Sequence, residues 1–253
     1  MLLSPAEVLA LLPSGLVLHN IGSRVVKIRD DLVVKYGFGV FATKVHSMNF
    51  VRKHTDILVP RVHLAFLRNN EHYIVMQYIE GATLEARWNM MDDNTRTATL
   101  LQLSGYLRQL RALENPSSSP GPVDQTACRG RWFSIYNAGP FQTHADLVKW
   151  LNHKMEIAPG SAEPFTDNYR LVFTHQDLAP RNLLVDEANQ LWMIDWEFSG
   201  WYPAYFEYAC VASLVQPIPQ DWISGVLAFL DSYGREYNSL RAIQWALEFT
   251  PFA

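Results

Sequence analysis

Along the first third of the chain, apolar residues come in short β-branched blocks broken by polar turns, and further on they recur every three or four residues. Val25-Val26-Lys27-Ile28, the polar turn Arg29-Asp30-Asp31 and Leu32-Val33-Val34-Lys35-Tyr36 predict a β-hairpin. After Gly37 and Gly39, Val45, Met48 and Val51 lie at helical spacing within 43–54, and Pro60 closes the connection that follows. Tyr73 to Tyr78 reads as a strand and Glu80-Gly81 as a hinge. A short amphipathic helix is expected over 1–12, where Pro5 and Glu7 interrupt the apolar run and Pro13-Ser14-Gly15 ends it.

Beyond the hinge the pattern becomes helical. Leu100, Leu103, Leu107, Leu110 and Leu113 share one face of a long helix capped near Asp92, Asp93 or Asn94. Residues 115–122 (NPSSSPGP) form a loop by composition, 146–155 predicts a helix, and Trp222, Val226, Leu230 and Tyr233 predict another. Strands first and helices later make an α+β chain in two lobes that divide between Gln77 and Gly81. The expected lobes are 1–79, small and β-rich with one helix, and 80–253, larger and mainly helical.

Composition narrows the partners. The chain has 253 residues, 49% of them hydrophobic, enough for a substantial core, and a net charge of −4 without a Lys/Arg block, so no grip on a nucleic-acid backbone is expected. No apolar window reaches the roughly 18 residues of a membrane span. The two cysteines, Cys128 and Cys210, have no metal-ligand spacing, which suits a reducing, cytoplasmic setting.

The chemistry concentrates between Leu171 and Glu197. Two short apolar strands, 183–185 and 191–194, flank the polar connection Asp186 to Gln190. Paired antiparallel with Val185 opposite Leu191, they bring Asn182 opposite Ile194 and so place Asn182 and Asp195 at one end of the hairpin. One carboxylate and one amide oxygen held there suit a hard cation such as Mg²⁺, which takes few protein ligands and leans on substrate phosphates for the rest. Asp177, five residues before Asn182 in a loop stiffened by Pro180, points into the same space, where a base would receive a hydroxyl proton. Taken one at a time, an Asp before a strand is a turn residue, Asn182 a cap and a strand-end Lys a solvated charge. The joint spacing favours chemistry.

The run His175-Gln-Asp177-Leu-Ala-Pro-Arg-Asn182 followed by Ile194-Asp195 resembles the catalytic-loop and metal-loop pair of kinase-like enzymes. Its wording, with Ile194-Asp-Trp-Glu-Phe-Ser-Gly-Trp-Tyr-Pro203, resembles the aminoglycoside-phosphotransferase and choline-kinase-like family, and Tyr73 to Leu84 resembles that family's hinge. The resemblance implies a two-lobed protein-kinase-like fold and transfer of phosphate from ATP, with Mg²⁺, to a hydroxyl of a small molecule. It implies Asp177 as catalytic base, Asn182 and Asp195 as magnesium ligands, and Lys35 as the residue that steadies the phosphates. Ser23, in the phosphate-covering loop, and Gln77 and Ile79, in the hinge, would also contact the nucleotide. Glu197 and Glu207 either face a cationic substrate or are structural. Arg129, Arg131, Trp132, Tyr136 and the Gly139-Pro140-Phe141 turn are candidate walls of the substrate side, and His175 is expected to brace its loop.

Three departures stand against the family pattern. The phosphate loop keeps one glycine, Gly22; Gln176 replaces the Gly of a His-Gly-Asp run; and Lys44 stands near where a glutamate should pair with Lys35. No glutamate occurs between Glu7 and Glu71, so either the helix sits differently, or Asp56 substitutes, or the nucleotide site is impaired. Two such lysines 4 Å apart would repel by roughly 1–4 kcal/mol. The alternative function is therefore a catalytically weakened kinase-fold protein that binds a ligand or partner. A protein kinase ranks lower because D-F-G and A-P-E wording is missing.

Overall fold

The computed structural model describes residues 3–37, 39–133, 137–160 and 162–250. Helix α1 (Pro5–Leu11) is fixed by a capping box between Ser4 and Glu7 and gives way to a tight turn at Leu12–Ser14, where Pro13 removes a backbone donor. Strands β1 (Leu16–Ile21), β2 (Ser23–Arg29) and β3 (Leu32–Gly37) follow, then α2 (Ala42–His54), β4 (Val62–Arg68) and β5 (Glu71–Gln77). The five strands form one antiparallel sheet in the order β1-β2-β3-β5-β4. Leu32, Val34 and Tyr36 alternate onto the face covered by Val8 of α1, and Tyr36, Tyr73 and Phe66 stack across neighbouring strands at 5.0 and 4.9 Å. Strand periodicity sends Val33 and Lys35 to the opposite face.

The remaining elements are β6 (Gly81–Thr83), α3 (Leu84–Arg87), α4 (Asp93–Ala112), α5 (His144–Ile157), β7 (Leu171–Thr174), β8 (Leu183–Asp186), β9 (Leu191–Met193), β10 (Gly200–Pro203), α6 (Tyr205–Ala212), α7 (Gln220–Leu227) and α8 (Gly234–Phe249). Strands β6-β8-β9 and β10-β7 make two small antiparallel sheets. The fold is α+β, a sheet-rich N-terminal part followed by a helical C-terminal part, as expected. Asp92 caps α4, whose Leu103, Leu107 and Leu110 pack with Met48 and Val51 of α2, the β8–β9 hairpin and Trp222 of α7 in one core. A second core joins α5, α6 and α8.

Three local expectations change. The face of α2 that is buried carries Thr43, Lys44, Ser47, Met48 and Val51, so the helix is rotated away from Val45 and turns a lysine inward. Helix α7 stops at Leu227, where Phe229 and Leu230 donate to carbonyls three residues back and tighten the chain; Leu230 and Tyr233 therefore lie beyond it. Helix α8, with Leu240, Ile243 and Leu247 buried at helical spacing, adds an element not anticipated.

Candidate active site

The loop that follows β7 is held from below. Glu207 of α6, itself buried, accepts from the backbone N–H groups of His175 at 2.6 Å and Gln176 at 2.9 Å. Burial pushes the Glu207 carboxyl up to about 7, against the two backbone donors that favour its anion. Gln176 adopts φ +64°, the left-handed region that costs a side-chain-bearing residue about 1–2 kcal/mol. This is the position where the family pattern has glycine. Its side chain offsets part of the cost by donating from Nε2 to the Phe198 carbonyl at 2.9 Å.

His175 ties the loop to the next hairpin. Its Nδ1 accepts from the Asp177 N–H at 3.2 Å and its Nε2 lies 3.0 Å from the Ile194 carbonyl, so the neutral ring carries its proton on Nε2. Burial lowers its pKa and keeps it uncharged. The ring packs edge-on against Trp196 at 4.7 Å. His175 is thus a brace, as its sequence context suggested.

Asp177 is positioned at both ends. The Arg181 guanidinium donates to its two carboxylate oxygens at 2.7 and 2.9 Å, and Asn182 Nδ2 donates to its main-chain carbonyl at 2.9 Å and to Oδ2 at 2.7 Å. The side chain keeps 19% of its surface exposed. It opens on a cleft of about 600 Å³ also lined by Arg131, Arg181, Phe198, Leu214 and Ile218. A smaller cavity of about 250 Å³, between Leu3, Leu32 and Val75, lies on the far face of the sheet from Lys35 and holds none of the candidate residues.

The β8–β9 hairpin pairs Val185 with Leu191 and Leu183 with Met193, and the Ile194 N–H donates to the Asn182 carbonyl at 3.0 Å, extending the ladder to the predicted end. Asp195 then turns into the left-handed region at φ 65°, ψ 57°. Its carboxylate lies between two ammonium groups. Lys35 of β3 donates to Oδ2 at 2.8 Å, and Lys44 of α2 donates to Oδ1. Lys44 also lies 3.4 Å from Glu197. Burial alone would raise the pKa of Asp195, but Lys44 and Lys35 together hold it far below the usual carboxylate range. Burial, and then the neighbouring Lys44, lowers Lys35 to about 8. For Lys44 burial also acts downward, yet Asp195 and Glu197 outweigh it and the net shift is upward. The repulsion expected between the two lysines is met by a carboxylate placed between them. Asp56, the other acid considered, is exposed beyond the far end of α2.

The other candidates scatter. Ser23 opens β2 after Gly22 at φ +74°; Gln77 closes β5, exchanging backbone and side-chain bonds with Arg61; Ile79 is buried in the hinge. Glu197 turns toward Lys44 and Glu207 is sealed beneath the loop. Trp132 is fully buried among α6 and α8, edge-on to Tyr237 at 6.5 Å. Burial rather than a cleft wall is its setting. Arg129 lies over the Phe41 ring at 4.1 Å, and Tyr136 falls outside the described residues. Among the described residues no group of three or more His, Cys, Asp or Glu could hold a metal, and no helix is long and apolar enough to cross a membrane. The Glu207 anchor and the Lys44–Asp195 contact escaped sequence reasoning because neither follows from local spacing.

A family profile described as "Phosphotransferase enzyme family" matches residues 41–243. No curated protein sequence matches the chain. Among solved structures, the APH(2")-IIa ternary complex with streptomycin and ATP is 13% identical, with a TM-score of 0.58 over 96% of this chain and 87% of that one. Spectinomycin phosphotransferase APH(9)-Ia, in complex with ADP and spectinomycin, is 14% identical with a TM-score of 0.58, covering 97% and 86%. The choline kinase LicA from Streptococcus pneumoniae is 14% identical with a TM-score of 0.51, covering 91% and 81%. At these identities the likeness is one of fold, and the fold is kinase-like.

Proposed function

From the premise that the chain belongs to the phosphotransferase enzyme family, we propose that it moves the γ-phosphoryl group of ATP to a hydroxyl of a small molecule. The observation that carries this reading is Asp177, a braced, part-exposed carboxylate at the mouth of a cleft large enough for a small substrate. In the reaction the substrate oxygen bonds to the γ-phosphorus as the bond from that phosphorus to the bridging oxygen breaks, ADP leaves, and Asp177 takes the hydroxyl proton. Arg181 and Asn182 hold the carboxylate in place for that transfer. Lys35 meets the phosphates, with Ser23, Gln77 and Ile79 lining the nucleotide side, so residues 1–79 cover the nucleotide and 80–253 carry the reacting loop and the substrate. The ATP- and ADP-bound structural relatives support a nucleotide as donor.

Asn182 and Asp195 are the pair that would take magnesium. The donor set offers a divalent ion little as it stands: both Asp195 oxygens already have an ammonium partner, and the Asn182 amide, whose nitrogen holds Asp177, has only its oxygen to give. That arrangement favours a second reading, a kinase-fold nucleotide binder with weakened catalysis. One assay separates the two. ADP release and phosphorylated product are measured against a panel of hydroxyl compounds, beside ATP binding by thermal shift. Turnover lost in Asp177→Asn supports transfer, binding without turnover supports the second reading, and neither binding nor turnover rejects both.

A further inference from the structure

Lys44 is the least expected charge in the protein. Its side chain keeps 1% exposure, and it sits in the first turn of α2, where the helix's own partial positive charge opposes a cation and no acidic residue of the helix helps. An ammonium so buried is tolerated only when paired. Its ion pairs are with Asp195 and Glu197, and Lys35 takes the other Asp195 oxygen. The four groups, two cations and two carboxylates, balance to zero.

A divalent ion on Asp195 would set two further positive charges beside an ammonium that has no route to solvent. Lys35 has somewhere to go, since 12% of its side chain is exposed and triphosphate oxygens would accept from it. Lys44 does not: Ser47, Met48 and Val51 of the same helix face are buried around it. We propose that the Lys44 ammonium serves as a built-in counter-cation beside Asp195, so that this protein binds nucleoside triphosphate without requiring a divalent cation. The inference rests on the nucleotide-binding reading above and adds to it that free triphosphate suffices as the species bound.

Calorimetry on the full chain tests it with ATP in EDTA and again in millimolar Mg²⁺. The expected result is dissociation constants within about threefold of each other, where a tenfold gap corresponds to about 1.4 kcal/mol. Binding in Mg²⁺ that weakens tenfold or more in EDTA overturns the inference and leaves the functional reading intact; no binding in either condition sinks both. Lys44→Met removes the ammonium with little change of volume, and its ATP affinity in EDTA is expected to fall more than tenfold and to recover in Mg²⁺. Electron paramagnetic resonance of Mn²⁺ without nucleotide supplies a second readout: the wild type leaves Mn²⁺ free and Lys44→Met binds it. Should Lys44→Met fail to fold, Lys44→Arg keeps the charge and is expected to keep binding in EDTA. A folded Lys44→Met that binds ATP in EDTA as the wild type does would count against the proposal.

Discussion

Replacing Glu207 by glutamine tests whether burial or hydrogen bonding governs the acid beneath the catalytic-type loop. The carboxyl is buried, and its pKa is raised by that burial from an ordinary 4.5 to about 7, even though His175 and Gln176 donate to it. A raised acid holds its proton longer in the folded chain than in the unfolded one. Its contribution to stability is therefore fully present below pH 4.5 and is lost as pH rises through 7. The shift converts to about 3 kcal/mol. Glutamine has nearly the shape of the protonated acid and does not titrate, so Glu207→Gln lacks this loss. In urea titrations, the stability of wild type minus variant is expected to move by about 3 kcal/mol in favour of the variant between pH 4.5 and pH 8. A difference that stays flat would show that burial and the backbone donors cancel. One that moves the other way would show that the two N–H bonds win and that the acid is depressed. Either result refutes the reasoning.

Other consequences follow from the same contacts. Asp177→Asn should lower phosphoryl transfer by about 10²–10⁴-fold in an ADP-release assay, with the melting temperature changed by no more than a few degrees, because the amide still meets Arg181 and Asn182. Gln176→Gly should be nearly neutral in urea titration, since relief of the positive φ offsets loss of the Phe198 bond, whereas Gln176→Ala keeps the strain, loses the bond and should cost about 1 kcal/mol. Lys35→Met should weaken ATP binding more than about tenfold by calorimetry while the fold persists, because Lys44 still neutralises Asp195. Lys44→Glu alone should destabilise by about 3–5 kcal/mol, and adding Glu197→Lys should recover roughly 1–3 kcal/mol of that; single effects that simply add would refute coupling within the cluster.

The hairpin of β8 and β9 could be read from sequence because two apolar strands joined by a short polar link leave few registers, and the one that buries Leu183, Val185, Leu191 and Met193 pairs Val185 with Leu191. The α4 stripe and its Asp92 cap were legible for a similar reason, a local period with a local signal. The facing of α2 was not. Counting apolar residues chooses Val45, but the buried face is set by two carboxylates more than 150 residues away, which draw Lys44 inward. The Glu207 anchor was equally hidden, since residues some 30 positions apart meet only after α6 folds back under β7. Trp132 was a candidate cleft wall because it lies in the stretch assigned to the substrate side, yet the second core absorbs it. The α8 period was present in Leu240, Ile243 and Leu247, and the Trp222 stripe located α7 but ran past its end at Leu227.

The charge at position 44 decides what the cluster around Lys35 needs. A glutamate there would give Lys35 a partner on α2 and leave Asp195 with an uncompensated charge. A lysine moves the local charge by two units in the positive direction, and the strand lysine loses the partner it would have had on the helix. Both lysines then need a carboxylate, and Asp195, held in a left-handed turn at the end of β9, offers one oxygen to each. Glu197, one tight turn further on, completes the balance around Lys44. The acid that carries the strand lysine is Asp195. The link between β3 and the segment after β9 is made directly through Lys35 and Asp195, and Lys44 ties α2 to the same carboxylate.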